Sequence, residues 1–155
     1  MPMAQAMELG VLPWSPLGGG ILTGKYGRTD LSDENGADIA STRKGVIASS
    51  GHLNERALDI AETVGVIAQE LAATPPQVAI AWTLRNPAVT APVIGARTLA
   101  QANDNFAALD ILMTDDQIDR LDRVSAIDPI FPHRFIGRPM AQQWIFGTSS
   151  FRGTR

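Results

Sequence analysis

The sequence contains no cysteine, which excludes disulfide bonds and catalysis by a thiol. Its two histidines, His52 and His133, lack the spacing of metal ligands. The formal net charge is only −3, so the composition does not favour nucleic acid or an anionic membrane as a partner. The sequence also lacks a signal-peptide pattern and any apolar run of membrane-spanning length. We therefore expect a cytoplasmic protein that binds neither nucleic acid nor membranes.

Helical periodicity is the clearest pattern in these 155 residues, a length that allows one domain with its own core. Residues 2–8 are typical of the end of a helix. Apolar residues at three- and four-residue spacing predict a second helix over 54–71. Thr74, which two prolines follow, predicts the start of another. Thr98 and Thr114 are each followed three residues later by glutamine, the pattern of a capping box, and predict two further helices.

Two short apolar segments, 11–14 and 89–94, predict buried strands between these helices. Strands that alternate with helices predict a parallel α/β architecture. Two strands do not complete a sheet, so further strands would come from elsewhere. Residues 27–51 and 127–155 show no clear period, and we expect a long surface loop in the first range and irregular structure in the second.

A glycine-rich turn, Ser15-Pro16-Leu17-Gly18-Gly19-Gly20, follows the first predicted strand. Its glycines allow close approach to the backbone, and concave groups of N–H donors bind phosphate. The turn therefore indicates a nucleotide or another phosphorylated ligand. The stretch from Gly19 to Tyr26 also approaches the P-loop pattern, but Tyr26 replaces the hydroxyl residue that would hold Mg²⁺. A P-loop-like nucleotide binder is consequently the least favoured alternative.

A second turn, Gly95-Ala96-Arg97, joins the second predicted strand to the helix that Thr98 caps. A helix N-terminus attracts anions, and Arg97 is suited to a bidentate phosphate contact. A plain turn with a solvated arginine is the alternative. Gln101 and Asn105 share one helix face and suit hydrogen bonds to a purine. Alternatively, Gln101 only completes the capping box, and Asn105 caps the helix or faces water.

Two further side chains each have two interpretations. Trp14, at the end of the first predicted strand, either stacks on a flat ring or is an ordinary core aromatic. Lys25 either pairs with a phosphate or is a solvated surface lysine. Five acidic residues have the spacing of solvated helix faces, and none of them is assigned to catalysis: Glu55, Asp59, Glu62, Asp116 and Asp119.

Together, these motifs resemble the C-terminal half of the aldo-keto reductase family. The resemblance runs from about residue 3 to about residue 135 and rests on residues 11–26, 74–82 and 92–98, followed by Asp104-Asn105. It implies an α/β fold that is part of a (β/α)₈ TIM barrel. The chain would supply strands 7 and 8 with their flanking helices, and cofactor phosphates would lie by the loops after those strands.

The resemblance also implies a division of the chain. Residues 1–146 would be the C-terminal part of the barrel, and 127–146 within it would be the C-terminal loop that shapes the substrate pocket. Residues 147–155 do not fit the family pattern, and we expect a disordered tail there.

The cofactor that the resemblance implies is NADP(H). Its implied contacts fall into four groups: the nicotinamide (Trp14), the pyrophosphate (Ser15, Pro16, Leu17 and Gly19, with Lys25 nearby), the adenosine 2′-phosphate (Gly95 and Arg97) and the adenine (Gln101 and Asn105). No residue of this sequence is assigned to a metal.

The family reaction is the reversible NADPH-dependent reduction of aldehydes and ketones to alcohols. The family's catalytic Asp, Tyr, Lys and His come from its N-terminal half, and the single tyrosine here, Tyr26, belongs to the cofactor loop motif. No catalytic residue is therefore assigned, and we expect the chain alone to be inactive as a reductase. One alternative is a non-catalytic half-barrel module that self-associates or complements a separate N-terminal half through exposed strand edges. Another is a truncation product without function.

Overall fold

The computed structural model of this chain describes residues 1–31 and 43–147. These residues divide into two compact units. The first comprises Met1 and Met3–Ser125, and the second comprises Pro2 and the chain from Ala126 onwards. Each unit is described by itself. The predicted helix at residues 2–8 is present as α1, Pro2–Ala6.

Two long helices begin where their capping residues predict. Helix α3 spans Glu55–Glu70, and the side chain of Asn54 accepts a hydrogen bond from the backbone of its first turn. Helix α4 spans Pro75–Leu84 and starts with a complete capping box between Thr74 and Gln77. The helix predicted over 54–71 and the helix start at Thr74 are thus confirmed.

The two other predicted helices are also present. Helix α5 spans Leu99–Phe106, and the hydroxyl of Thr98 caps its N-terminus. Helix α6 spans Asp115–Ser125, and Thr114 forms a reciprocal pair of hydrogen bonds with Gln117 at its start. Local sequence signals suffice here because each cap satisfies backbone donors that the first helical turn leaves free.

Two apolar clusters hold the first unit together. One joins α3, α4 and α6 through side chains that water barely reaches: Val64, Ile67, Ala68, Val78, Ala79 and Leu121. The other packs the glycine-rich turn and helix α2 (Arg43–Ser49) against α3: Ile21, Ile47, Leu53, Leu58 and Ala61. Burial of these side chains supplies the main favourable term for folding. The second cluster also holds the glycine-rich turn against helices α2 and α3.

The predicted partial (β/α)₈ barrel is wrong. Among the described residues there are no strands and no sheet, and strands 7 and 8 are not seen. Residues 11–14 and 89–94 meet only in two isolated parallel bridges, Val11 with Val89 and Trp14 with Val93. The physical reason is that two such short segments have no neighbouring strand on either side. A parallel ladder is stable only within a larger, covered sheet.

The structure also corrects the two ranges that were expected to be irregular. Within 27–51 it forms a 3₁₀ turn at Arg28–Leu31 as well as α2, while residues 32–42 lie outside the described residues. In the second unit, the expected substrate loop at 127–146 contains two short helices, α7 (His133–Ile136) and α8 (Pro139–Phe146).

The predicted tail at 147–155 lies outside the described residues, apart from Gly147. Among the helices of the described ranges, none combines the length and the apolar character that crossing a membrane requires.

Candidate nucleotide-binding cleft

The first unit contains a cleft of about 730 Å³ between its two turns. The glycine-rich turn forms one wall, and residues 93–97 together with α5 form the other. All ten residues that the sequence predicts as cofactor contacts line this cleft: Trp14, Ser15, Pro16, Leu17, Gly19, Lys25, Gly95, Arg97, Gln101 and Asn105. The fold thus brings together residues that are about eighty positions apart in the chain. Their role as cofactor contacts stays a prediction.

The backbone N–H groups of the three glycines in the glycine-rich turn are not free. The N–H groups of Gly18 and Gly20 donate to carbonyls earlier in the turn, at 2.9 Å each, and that of Gly19 donates to the side chain of Ser15 at 3.1 Å. The N–H group of Leu17 has no acceptor within the described part of the chain, whereas that of Ser15 takes part in the bridge between Trp14 and Val93. Leu17 therefore supplies the donor that this turn offers to an anion.

Positive backbone φ angles shape the same turn. Gly18, Gly19 and Gly20 have φ of 55°, 68° and 101°, and Ser15 also has a positive φ of 58°. Such angles are uncommon for residues with a side chain, and their concentration here bends the chain sharply. The bend keeps the backbone of this wall free of bulky side chains.

Two cations line the cleft without a carboxylate partner. Neither Lys25 nor Arg97 makes an ion pair with any residue in the ranges that the structure describes. The Lys25 Nζ lies 4.8 Å from the centre of the Tyr26 ring, and a Cβ added at Gly20 would be 3.0 Å from it. The ammonium thus lies against the glycine-rich turn. Unpaired cations of this kind attract anionic ligands.

Gln101 connects the second turn to α5. Its Oε1 accepts from the backbone N–H of Arg97 at 2.9 Å, and its own N–H donates to Thr98 Oγ1 at 3.2 Å. The reciprocal capping box expected between Thr98 and Gln101 is therefore not formed, because the Gln101 side chain reaches one residue further back. This contact holds the start of α5 beside the Gly95–Arg97 turn.

Asn105 is a buried polar side chain without a partner. It is 6% exposed, and its amide makes no hydrogen bond to any other described residue. The alternative that Asn105 faces water stays open, because Arg120 Nε is the one buried side-chain nitrogen or oxygen without a hydrogen-bond partner among the described residues, and the Asn105 amide is not in that state. The residue lines the cleft, where solvent or a ligand can supply hydrogen bonds to its amide.

Trp14 is 84% exposed, so it is not a core aromatic. Because it lines the cleft, its indole is accessible to a flat ligand ring. Seven lining residues were not predicted as contacts: Gly20, Thr23, Pro76, Val93, Ile94, Ala96 and Asp104. Spacing was a signal for Asp104, which lies three residues after Gln101 and next to Asn105 and so falls on the same helix face.

The hydrogen bonds of Asp104 come from the start of α4. Thr74 Oγ1 donates to the carboxylate at 3.0 Å from both oxygens, and Gln77 Nε2 donates to Oδ1 at 2.7 Å. Asp104 is the one carboxylate among the described residues that line the cleft. Within the described ranges, no group of three His, Cys, Asp or Glu side chains is arranged to hold a metal ion.

Comparison with known proteins identifies the family. The model of the aldo/keto reductase family matches residues 1–126. The chain is 35% identical over 144 residues to the protein named "Uncharacterized oxidoreductase YrpG" from Bacillus subtilis, covering 93% of this chain and 39% of that protein. It is 32% identical over 142 residues to a "Probable voltage-gated potassium channel subunit beta" from Arabidopsis thaliana, covering 87% of this chain and 41% of that protein. The chain belongs to the aldo/keto reductase family, and it spans about two-fifths of the length of the curated relatives it matches.

Proposed function

We propose that this chain forms the NADP(H)-binding portion of an oxidoreductase of the aldo/keto reductase family. The observation that carries the proposal is the convergence of all ten sequence-predicted contacts on one cleft. The cleft volume of about 730 Å³ lies within the range of small-molecule and cofactor sites.

The donors and charges of the cleft suit a dinucleotide that carries phosphate groups on both sides of its adenosine. The free N–H group of Leu17, together with Lys25, suits the pyrophosphate. Arg97, which lies just before α5, suits the 2′-phosphate that distinguishes NADP from NAD. The start of α5 contributes its dipole to the same anion. The unpartnered amide of Asn105 suits the polar edge of the adenine.

When bound, NADP(H) supplies the hydride in the reversible reduction of an aldehyde or ketone. The residues of this chain bind the cofactor and orient it, with Trp14 beside the nicotinamide. The proton donor is assigned to polypeptide outside this sequence, because none of the residues that line the described cleft is a tyrosine or histidine. Residues 127–146 would border the carbonyl substrate in the intact protein, and we propose the cytoplasm as its location.

The direct test is NADPH binding by the purified 155-residue chain, followed by cofactor fluorescence. We expect NADPH to bind more tightly than NADH. Arg97→Ala should weaken NADPH binding roughly tenfold or more, because a bidentate charged contact is lost. The same variant should leave NADH binding nearly unchanged.

Arg123→Ala is the matched control, since Arg123 is exposed in α6 and does not line the cleft. It should leave the binding of both cofactors unchanged. Absence of NADPH binding, or an equal loss for both cofactors in Arg97→Ala, would contradict the proposal.

A further inference from the structure

A second cavity lies in the first unit, between the end of α4 and the exposed side of α6. Its volume of about 460 Å³ is within the range of small-molecule sites. It shares no lining residue with the candidate cofactor cleft. We call it the α4–α6 groove, and the residues on which the argument depends are Trp82, Arg85, Asn86, Ile118 and Asp122.

Two side-chain contacts mark the two ends of the groove. At one end, Arg85 Nη2 lies 3.7 Å from Asp115 Oδ1, at the first residue of α6. At the other end, Trp82 Nε1 donates to Asp122 Oδ1 at 2.9 Å. Asp115 and Asp122 are seven residues apart in α6, which corresponds to about 10 Å along a helix. The groove therefore has a cationic end and an anionic end.

The middle of the groove is apolar. Ile118 follows Asp115 by three residues and precedes Asp122 by four, so all three lie on the same face of α6. The indole of Trp82 and the side chain of Val89 also line the groove. Among the described lining residues, Arg85 and Asp122 are the charged side chains. A chain of methylene groups would thus be favourably buried between the two charges.

Both ends keep hydrogen-bonding capacity for a ligand. The partner of Arg85, Asp115, is 98% exposed, so this ion pair is weak. Asn86 uses its side-chain oxygen to accept a backbone N–H at 3.0 Å, and its amide hydrogens have no acceptor among the described residues. Trp82 occupies Oδ1 of Asp122, whereas Oδ2 accepts nothing from the described part of the chain. A carboxylate suits the first end, and an ammonium group suits the second.

We propose that the α4–α6 groove binds a linear ω-amino carboxylic acid. Its carboxylate would contact Arg85 and Asn86, its ammonium group would contact Asp122, and its methylene chain would cover Ile118 and Trp82. An extended chain advances about 3.5 Å for every three bonds, so about eight bonds would separate the two charged groups over 10 Å. 8-Aminooctanoate has this length. The proposal is independent of the NADP(H) cleft, because the two sites share no residue.

The test crosses three probes with two variants of the full chain at pH 7. The probes are 8-aminooctanoate, octanoate and octylamine, and ligand-observed NMR titration measures their affinities. Arg85→Gln removes the cation but keeps amide donors. Asp122→Asn removes the anion but keeps an oxygen for the indole of Trp82. Circular dichroism verifies that both variants fold.

The wild-type chain should bind 8-aminooctanoate most tightly. Arg85→Gln should weaken the two carboxylates roughly threefold to fivefold, the effect of one partly exposed charge contact, and leave octylamine unchanged. Asp122→Asn should weaken the two amines by a similar factor and leave octanoate unchanged. The matched controls are Arg123→Gln and Asp119→Asn, since both residues are exposed in α6 and do not line the groove. They should leave all three affinities unchanged.

Three results would overturn the proposal. The first is absence of 8-aminooctanoate binding by the wild-type chain, and NADPH binding by the same sample would show that the proposed function is unaffected. The second is an equal loss for all three probes in either variant, because a charge contact acts on one end of the ligand. The third needs no variant. It is equal affinity for 4-aminobutanoate, which carries the same charges on a chain too short to reach both ends.

Discussion

Gly19 packs directly against Ile47. A Cβ added at Gly19 would lie 2.7 Å from Ile47 Cδ1 and 2.9 Å from its Cγ1, closer than side chains approach one another. Ile47 is 6% exposed and belongs to the apolar cluster that joins α2 to α3. The backbone of the candidate cofactor cleft is therefore in direct contact with the core. A change at Gly19 should affect stability as well as binding.

Gly19→Ala should lower the free energy of unfolding by about 2–4 kcal/mol, because it adds overpacking against Ile47 to the strain of a positive φ. Gly24→Ala is the control, since Gly24 has a φ of 75° but nothing within 4 Å of an added Cβ. It should cost only about 1–2 kcal/mol. Urea denaturation followed by circular dichroism measures both values. An equal cost for the two variants would show that contact with Ile47 is unimportant.

Asn105→Leu should weaken the binding of NADPH without lowering the stability of the fold. The substitution replaces an amide that makes no hydrogen bond to the described residues by an apolar side chain of similar size, so the free energy of unfolding should change by less than about 1 kcal/mol. NADPH affinity should fall roughly tenfold, since the ligand loses its hydrogen bonds to the amide. Thermal unfolding and cofactor fluorescence test the two effects. A strong loss of stability would mean that the amide has a structural role.

Glu70 should make the stability of the first unit depend on pH in the acidic range. Hydrogen bonds from Arg120, and then from Gln117, lower the pKa of the Glu70 carboxyl from 4.5 to about 2. The folded state therefore favours the ionised form. This stabilisation is complete above the unfolded pKa, near pH 4.5, and is lost as the pH falls towards 2. Glu70→Gln should consequently show a smaller fall in melting temperature between pH 4.5 and pH 2.

The matched control for Glu70 is Asp119→Asn in α6. Asp119 is exposed and makes no ion pair or side-chain hydrogen bond with the part of the chain that the structure describes. Its replacement should leave the acid dependence as in the wild type. Melting curves by circular dichroism at half-unit pH steps would show the difference. Parallel curves for wild type and Glu70→Gln would rule out the effect.

The purified chain should not oxidise NADPH when aldehydes or ketones are added. The reason is the missing proton donor, since Tyr26, the single tyrosine, does not line the cleft. Absorbance of NADPH at saturating cofactor, with and without a panel of carbonyl compounds, measures the rate. If carbonyl-dependent oxidation is seen, Tyr26→Phe decides whether this hydroxyl supplies the proton. Activity above the background rate would contradict our expectation.

The helices were predictable from the sequence, whereas the strands were not. The spacing of apolar residues over 54–71 and the caps at Thr74, Thr98 and Thr114 act locally, so each helix start could be placed without tertiary information. Segments 11–14 and 89–94 have the composition of strands, but a strand needs neighbours to pair with. The described residues provide only the isolated bridges between these two segments. Helices α2, α7 and α8 lack a clear apolar period and were not predicted.

The sequence predicted where the candidate site lies better than it predicted the hydrogen bonds within the site. The glycine-rich turn and the Gly95–Arg97 turn were each recognised from local motifs, and the fold brings both to one cleft. The free donor at Leu17 was not predictable, because it depends on which acceptors the three glycines contact. The contacts of Asp104 were missed because its partners lie about thirty residues away, at the start of α4.

The contacts between segments 11–14 and 89–94 have a kinetic consequence. Val11 donates its N–H to Thr90 Oγ1 across a sequence separation of 79 residues. Closing so long a loop carries an entropic cost that neighbouring helices such as α3 and α4 do not bear. We therefore expect the cleft to form after the helices have packed, and after the rate-limiting transition state of folding. A ligand bound there would act chiefly by slowing the unfolding rate, and would leave the rate of folding almost unchanged.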